Sequence, residues 1–95
     1  MSLEQLVARY IASAERVLSE LQITVKDDVL CLPRKAILEV IDLAKAYLHD
    51  AKYYRNRKRF DVGLASVAYC EGLLDALRIL GAVRFEWPTR KEGNT

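Results

Sequence analysis

The sequence predicts an all-α protein: a three-helix, up-and-down antiparallel bundle followed by a short C-terminal tail. Two observations predict this fold. Apolar residues recur every three or four positions in three segments, at about residues 3–22, 33–55 and 61–80, which is the period of an amphipathic helix. Short connections separate the segments, and helices joined in this way usually lie antiparallel. We therefore treat residues 1–95 as a single domain with its tail at residues 82–95.

The composition is that of an ordinary globular domain. Hydrophobic residues make up 52% and charged residues 29% of the chain, which is too apolar for disorder. The formal net charge of +2 is too small to predict a nucleic-acid partner by itself. No apolar run approaches the ~18 residues of a membrane span, and the N-terminus lacks the basic start of a signal peptide. We expect a cytoplasmic protein with no membrane partner.

The first predicted helix begins at residue 3. Ser2 and Gln5 have the spacing of a capping box, in which each side chain accepts a hydrogen bond from the other residue's backbone N–H. The apolar residues that follow fall in one stripe about 140° wide. This stripe comprises Leu3, Leu6, Val7, Tyr10, Ile11, Ala14, Val17, Leu18 and Leu21. Residues 22–32 then break the period with β-branched and acidic residues, which predicts a connector.

The second predicted helix has Pro33 in its first turn, where a missing N–H is tolerated. Its apolar stripe is about 160° wide and runs from Ile37 to Tyr54. The lone histidine, His49, falls on the polar side, as solvated histidines do. A turn at residues 56–59 follows, and we expect Asn56 to take the left-handed conformation there because Asn tolerates it.

The third predicted helix differs from the other two in how little of it is polar. Asp61 is in position to cap its N-terminus, and Gly81 is where a C′ glycine would end it. Glu71, Asp75 and Arg78 occupy a sector of roughly 60°, and the remaining residues form an apolar arc of about 260°. An arc this wide is typical of a helix that is covered on most sides.

The apolar arc has a small-residue side and a bulky side. The small side comprises Ala65, Ala68, Gly72, Ala76 and Ile79, and the bulky side comprises Val67, Cys70, Leu73, Leu74 and Leu77. Either the first two helices pack on the small side while Val83, Phe85 and Trp87 of the tail cover the bulky side, or a second chain provides the cover. Gly72 costs about 1 kcal/mol relative to Ala inside a helix, which favours close approach by another backbone. We therefore expect a homodimer or another protein partner on the third helix, with Tyr69 in the core.

The acidic and basic residues of the third helix suggest two roles. Glu71 and Asp75, one turn apart, could hold a metal ion or share a proton. Alternatively, Arg78 neutralises a polar stripe that orients the helix. We favour the structural role, since the sequence offers no further cluster of hard ligands and no nucleophile paired with a base. Cys31 and Cys70 lack zinc-site spacing, and we expect reduced thiols. The prediction is no enzyme activity, no catalytic residue, no cofactor and no metal.

Five basic residues surround the predicted turn: Lys52, Arg55, Arg57, Lys58 and Arg59. They alternate with Tyr53, Tyr54 and Phe60, and basic residues interleaved with aromatic ones can bind phosphates and stack on bases. An RNA- or DNA-binding accessory protein is therefore the alternative function. The other interpretation is a solvated loop, in which Tyr54 and Phe60 close the end of the core and only Tyr53 is exposed. We rank nucleic-acid binding below protein interaction because no recognised nucleic-acid motif appears.

Residues 47–81 resemble a family of small archaeal proteins described as domain of unknown function 357. The resemblance lies in the helix ending Asp-Ala-Lys-Tyr-Tyr at residues 50–54, a tight turn, and Tyr-x-Glu-Gly-Leu-Leu-Asp-Ala-Leu-Arg at residues 69–78 before Gly81. It implies a stand-alone archaeal cytoplasmic three-helix bundle, and it implies no activity. We expect the signature residues Tyr69, Glu71, Gly72, Asp75 and Arg78 to mark the interacting region. The chain departs from the family in its turn, where a glycine is expected and residues 56–59 are Asn-Arg-Lys-Arg.

Overall fold

The computed structural model describes residues 1–24 and 32–88, which form three α-helices and two short β-strands. Helix α1 spans Leu3–Glu20, strand β1 Gln22–Ile23, helix α2 Arg34–Asn56, helix α3 Phe60–Ile79 and strand β2 Val83–Arg84. The predicted all-α three-helix bundle is confirmed, and the predicted helix ends are within two residues of the observed ones. Over the described residues, none of the helices combines the length and hydrophobicity needed to span a bilayer.

The α2–α3 hairpin is the largest packed unit, and α1 lies against α3 more extensively than against α2. Small and medium-sized side chains from all three helices meet in the larger of two core clusters. This cluster comprises Val7, Ile11, Ala14, Val17, Ala44, Leu48, Ala51, Val67, Cys70 and Leu74. Because each of the other two helices packs more extensively on α3 than on the remaining helix, α3 is the central element of the fold.

Gly63 lies where α3 approaches both of its neighbouring helices closely. A β-carbon on Gly63 would lie 3.3 Å from the carbonyl oxygen of Ala51 and 3.5 Å from Cγ1 of Val7. By contrast, apart from the adjoining backbone of α3 itself, no described atom lies within 4 Å of where a β-carbon on Gly72 would be. Close packing inside the monomer therefore occurs at Gly63, and Gly72 faces open space.

The helix ends follow two of the three predicted capping patterns. The capping box of α1 is confirmed: the Gln5 N–H donates to Ser2 Oγ at 3.1 Å, and the Ser2 N–H donates to Gln5 Oε1 at 2.9 Å. Gly81 ends α3 with a φ of +76°, as predicted. The prediction that Asp61 caps α3 is wrong. Arg59 is the N-cap residue and contributes no side-chain cap, because the helix begins one residue earlier than predicted and places Asp61 inside its first turn.

The turn between α2 and α3 is a Schellman motif centred on Lys58. The Arg59 N–H donates to the carbonyl of Tyr54 at 2.8 Å, and the Lys58 N–H donates to the carbonyl of Arg55 at 2.9 Å. Lys58 has a φ of +62°. The left-handed residue is thus Lys58 rather than the predicted Asn56, which is the last residue of α2.

The C-terminal segment returns to the end of α1 through a two-stranded sheet. Strands β1 and β2 are antiparallel, with Gln22 opposite Arg84 and Ile23 opposite Val83. The pairing continues into Thr24, whose N–H donates to the carbonyl of Ala82 at 2.9 Å. Residues 22–24, which were predicted to be part of a connector, therefore form a short strand and its hydrogen-bonded continuation. Residues 25–31, which include Cys31, and the predicted frayed end at 89–95 lie outside the described residues.

Candidate functional site

The acid–base stripe of α3 holds the C-terminal segment. Asp75 Oδ1 accepts a hydrogen bond from the indole Nε1 of Trp87 at 2.7 Å and another from Arg78 Nη2 at 3.3 Å. The Arg78 guanidinium also lies 5.8 Å from the ring centroid of Phe85, and Phe85 meets Trp87 edge to face at 5.1 Å. Both aromatic rings are half-buried against the larger core cluster. The stripe therefore has structural partners, which supports its structural role.

Cys70, beside Glu71, is a poor candidate for chemistry. Its side chain is completely buried, and burial, followed by the negative charge of Glu71, raises the pKa of the thiol to about 12. A thiol that stays protonated is a weak nucleophile and a weak metal ligand. Within residues 1–24 and 32–88, no three His, Cys, Asp or Glu side chains are grouped closely enough to hold a metal ion.

The bulky side of α3 faces the core. Val67, Cys70, Leu74 and Leu77 are buried, whereas Ala65, Ala68, Gly72, Ala76 and Ile79 are exposed. The predicted arrangement with the first two helices on the small side is therefore wrong. Burying the larger side chains removes more apolar area from water, so the bundle takes the bulky side and leaves the small side uncovered.

The uncovered side of α3 borders an apolar groove. The groove has a volume of about 630 Å³ and lies between α2 and α3. Its lining comprises Leu43, Tyr47, Ala65, Ala68, Tyr69, Gly72 and Leu73. The apolar surface continues along α3 through Ala76 and Ile79, which follow Gly72 by one and two helical turns. We call these nine residues the outer face.

Two tyrosines form a ridge in the outer face. The rings of Tyr47 and Tyr69 stack with their centroids 5.1 Å apart and their planes 18° from parallel. Tyr69 is 64% exposed, so the prediction that it lies in the core is wrong. It falls on the side of α3 away from the buried residues, and stacking on Tyr47 covers one of its two ring surfaces. A large aromatic ring held in place and left open to solvent is typical of binding surfaces.

The α2 part of the outer face has only a weak signal in the sequence. Leu43 falls outside the apolar stripe of α2 that contains Ile41 and Ala44, and it is exposed. An apolar residue that does not fit the main stripe of an amphipathic helix is the signal that could have indicated a second contact surface.

The basic residues around the α2–α3 turn do not all point to a common site. Lys52 forms an ion pair with Glu15, which joins α2 to α1, and Arg59 Nε lies 3.8 Å from Asp61 Oδ1. The Arg57 guanidinium lies 4.7 Å from the ring centroid of Tyr53. As predicted, Tyr53 is exposed at the turn.

The same end of the core is closed by two other aromatic residues. Tyr54 and Phe60 are half-buried, and Phe60 packs on the larger core cluster, as predicted. The rings of Tyr53 and Tyr54 meet edge to face at 5.1 Å. The turn thus combines a packed interior with one exposed aromatic ring and an arginine beside it.

Comparison with known protein families gives a match. The family model described as "Protein of unknown function (DUF357)" matches residues 9–83, which include α1 from Arg9 onward and all of α2 and α3, and reach β2. The chain belongs to this family. No curated protein and no solved structure matches it. Membership confirms the resemblance seen in the sequence and assigns no activity, so function has to be argued from the surface itself.

Proposed function

We propose that the protein is a non-enzymatic protein-interaction module that self-associates through the outer face. The observation that carries this proposal is the exposure of large apolar side chains next to one another on one surface. Tyr69 is 64% and Ile79 77% exposed, and Leu43 is nearly half exposed. Contiguous apolar surface of this kind is uncommon on soluble monomers and marks sites of association.

The side of the α2–α3 hairpin that carries the outer face is large enough for a stable dimer. A helix of 20 residues, such as α3, is about 30 Å long, and two packed helices are about 20 Å wide. The projected area of this side of the hairpin is therefore roughly 600 Å², and ridged side chains present more accessible area than their projection. Stable interfaces bury about 800 Å² per partner, so one hairpin surface against another is sufficient.

The charge distribution of the outer face favours a second copy as the partner. Between residues 62 and 80, the charged residues of α3 are Glu71, Asp75 and Arg78, and Trp87 and Phe85 of the same chain contact this stripe. The outer face itself contains no charged residue. A partner that buries it must be equally uncharged, because burying an unpaired charge is costly. The same surface of another molecule meets this requirement.

Light scattering coupled to size-exclusion chromatography tests the proposal. Gly72→Lys puts a charge in the outer face at a position with open space, so the monomer fold should be retained while the dimer is lost. Ala12→Lys, at an exposed alanine of α1, is the matched control and should leave the dimer intact. We expect twice the chain mass for the wild type and the control, and the chain mass for Gly72→Lys. A wild type that elutes at the chain mass at high concentration overturns the proposal.

The basic turn supports a second candidate function, the binding of single-stranded RNA or DNA. The supporting observation is the exposed ring of Tyr53 with the Arg57 guanidinium 4.7 Å from its centroid, since aromatic rings beside cations can stack on bases and contact phosphates. Lys58, in the tip of the turn, adds a positive charge. Lys52 and Arg59 have acidic neighbours, which reduces the free charge and ranks this candidate second.

Charge reversal separates the two candidates. The variant Arg57→Glu/Lys58→Glu should abolish binding to a labelled single-stranded RNA and leave self-association unchanged. Wild-type affinity should fall steeply between 50 and 200 mM salt, on the order of tenfold or more if several phosphates are contacted. Absence of binding, or an affinity that does not depend on salt, rejects the nucleic-acid candidate.

A further inference from the structure

The exposed side of α3 carries a second heptad pattern. The buried residues Gly63, Val67, Cys70, Leu74 and Leu77 are separated by four, three, four and three positions. On the opposite side, Val62, Ala65, Tyr69, Gly72, Ala76 and Ile79 are separated by three, four, three, four and three positions. An apolar repeat of this spacing is the pattern with which one helix packs along another in a coiled coil. The same helix is therefore patterned for two long helical contacts, and the monomer uses one.

We infer that two copies of α3 pack antiparallel across a two-fold axis beside Gly72. This inference rests on the proposed self-association and specifies its geometry. It follows from the order of side-chain sizes along the outer heptad and from the position of the basic turn.

Side-chain size favours the antiparallel arrangement. With the axis at Gly72, the small Ala65 of one subunit lies level with the large Ile79 of the partner subunit. Tyr69 lies within one residue of the level of the partner subunit's Ala76. Large residues thus meet small ones, as in well-packed cores. In a parallel dimer, Tyr69 would instead meet the partner's Tyr69, and Ala65 would meet the partner's Ala65, so large residues would meet large ones and small residues small ones.

Charge favours the same arrangement. A parallel dimer would place two copies of the turn side by side, and each carries Arg55, Arg57, Lys58 and Arg59. The antiparallel dimer places the turns at opposite ends, about 40 Å apart along the helices, which is beyond the ~8 Å screening length of physiological salt. The antiparallel dimer therefore avoids like-charge repulsion, and it uses the same side of α3 as the parallel dimer would.

The stacked tyrosines are the specificity-determining feature of this dimer. Tyr47 holds the ring of Tyr69 upright through stacking at 5.1 Å, so that the ring is presented to the partner without loss of conformational freedom on binding. The ring is placed to cover the alanine-rich surface of the partner subunit near its Ala76. The dimer core then contains four helices, two from each subunit.

Cysteine cross-linking tests the geometry in a Cys31→Ser background, with Cys70 retained because it is buried. Gly72→Cys should form a disulfide-linked dimer, since both copies lie at the axis. Ala65→Cys alone should not, because its two copies would be about 21 Å apart along the helices, while a disulfide requires Cβ atoms about 4 Å apart. A mixture of Ala65→Cys and Ile79→Cys proteins should give the mixed dimer.

The outcomes separate this inference from the proposed function. A monomeric wild type in light scattering overturns both. A dimer in light scattering in which Ala65→Cys links to itself shows a parallel arrangement and overturns the inference alone. A dimer in which neither Gly72→Cys nor the mixed pair links more than an Ala12→Cys control also overturns it.

Discussion

At the scale of single residues, Lys58 adopts a left-handed backbone conformation that residues other than glycine and asparagine disfavour. Its φ of +62° closes the Schellman motif between α2 and α3. A side chain other than glycine in this region is strained by roughly 1 kcal/mol or more. The family resemblance leads one to expect glycine in this turn, and the structure identifies position 58 as the one where glycine would relieve strain.

Lys58→Gly should therefore raise the free energy of unfolding by about 0.5–1 kcal/mol, because relief of the left-handed strain exceeds the added backbone entropy of the unfolded chain. Asn56→Gly is the matched control. It should lower stability by a similar amount, since Asn56 belongs to α2 and glycine is unfavourable in a helix. Urea denaturation followed by circular dichroism measures both. A change of the same sign in the two variants would contradict the assignment.

Cys70 gives the protein a dependence on alkaline pH. Its pKa is about 12 in the folded protein and near its ordinary value of 9.0 in the unfolded chain. Above pH 9 the unfolded chain loses the proton first, so the stability contributed by the neutral buried thiol is present below pH 9 and is lost as pH rises toward 12.

We expect the wild type to lose roughly 1 kcal/mol more stability than Cys70→Ala between pH 8 and pH 10. Urea denaturation in the presence of reductant at the two pH values gives the difference. Other titrating groups contribute to both proteins and cancel. Equal losses in the two proteins would mean that the thiol ionises as easily in the folded state as in the unfolded one.

At the scale of elements, α3 shows which part of the fold the sequence determines. The helix and its two apolar sides are evident from periodicity. Which side faces inward is not evident from spacing, because the Val67 side and the Gly72 side repeat in the same way; the larger apolar area of the Val67 side decides it. The close approach of Gly63 to the Ala51 carbonyl is a pairwise fit between helices, and such a fit has no one-dimensional signal.

The two glycines of α3 should respond in opposite ways to the same substitution. Gly63→Leu should lower stability by about 2–3 kcal/mol, because its added atoms have no space beside the carbonyl of Ala51. Gly72→Leu should leave stability unchanged or raise it by up to about 1 kcal/mol through helix propensity. Thermal denaturation at low protein concentration, where self-association does not contribute, provides the comparison. A larger loss of stability for Gly72→Leu than for Gly63→Leu would mean that the Gly72 side of α3 faces the core, contrary to the structure.

At the scale of the whole molecule, the sequence predicts the helices and the bundle but not the pairing of the segment after α1 with the segment after α3. The alternation of apolar and charged residues at 82–88 was visible. The strand with which this segment pairs is not evident from the sequence, because Gln22 and Ile23 lie some sixty residues away and a two-residue strand carries no pattern of its own. For the candidate site, periodicity shows the small-residue side of α3 but not whether the first two helices or a second chain cover it. It gives no indication that Leu43 and Tyr47 of α2 border the same surface.

The contact between Trp87 and Asp75 can be followed directly, since the chain contains one tryptophan. Asp75→Ala should shift the tryptophan emission to longer wavelength and lower stability by about 1–2 kcal/mol, because the indole N–H loses its acceptor at 2.7 Å. Asp61→Ala is the control, an exposed acidic residue of the same helix. Unchanged emission in Asp75→Ala would show that the C-terminal segment is held by its apolar contacts alone.

The hydrogen bond from Thr24 Oγ1 to the carbonyl of Gly81, at 3.0 Å, joins residues 57 positions apart. The loop that it closes contains the whole α2–α3 hairpin, and an unstructured chain of that length loses considerable entropy when its ends meet. Once the hairpin has formed from contacts local in sequence, its two ends already lie together and little of that entropy remains to be lost. We therefore expect the hairpin to form first and the sheet to form last.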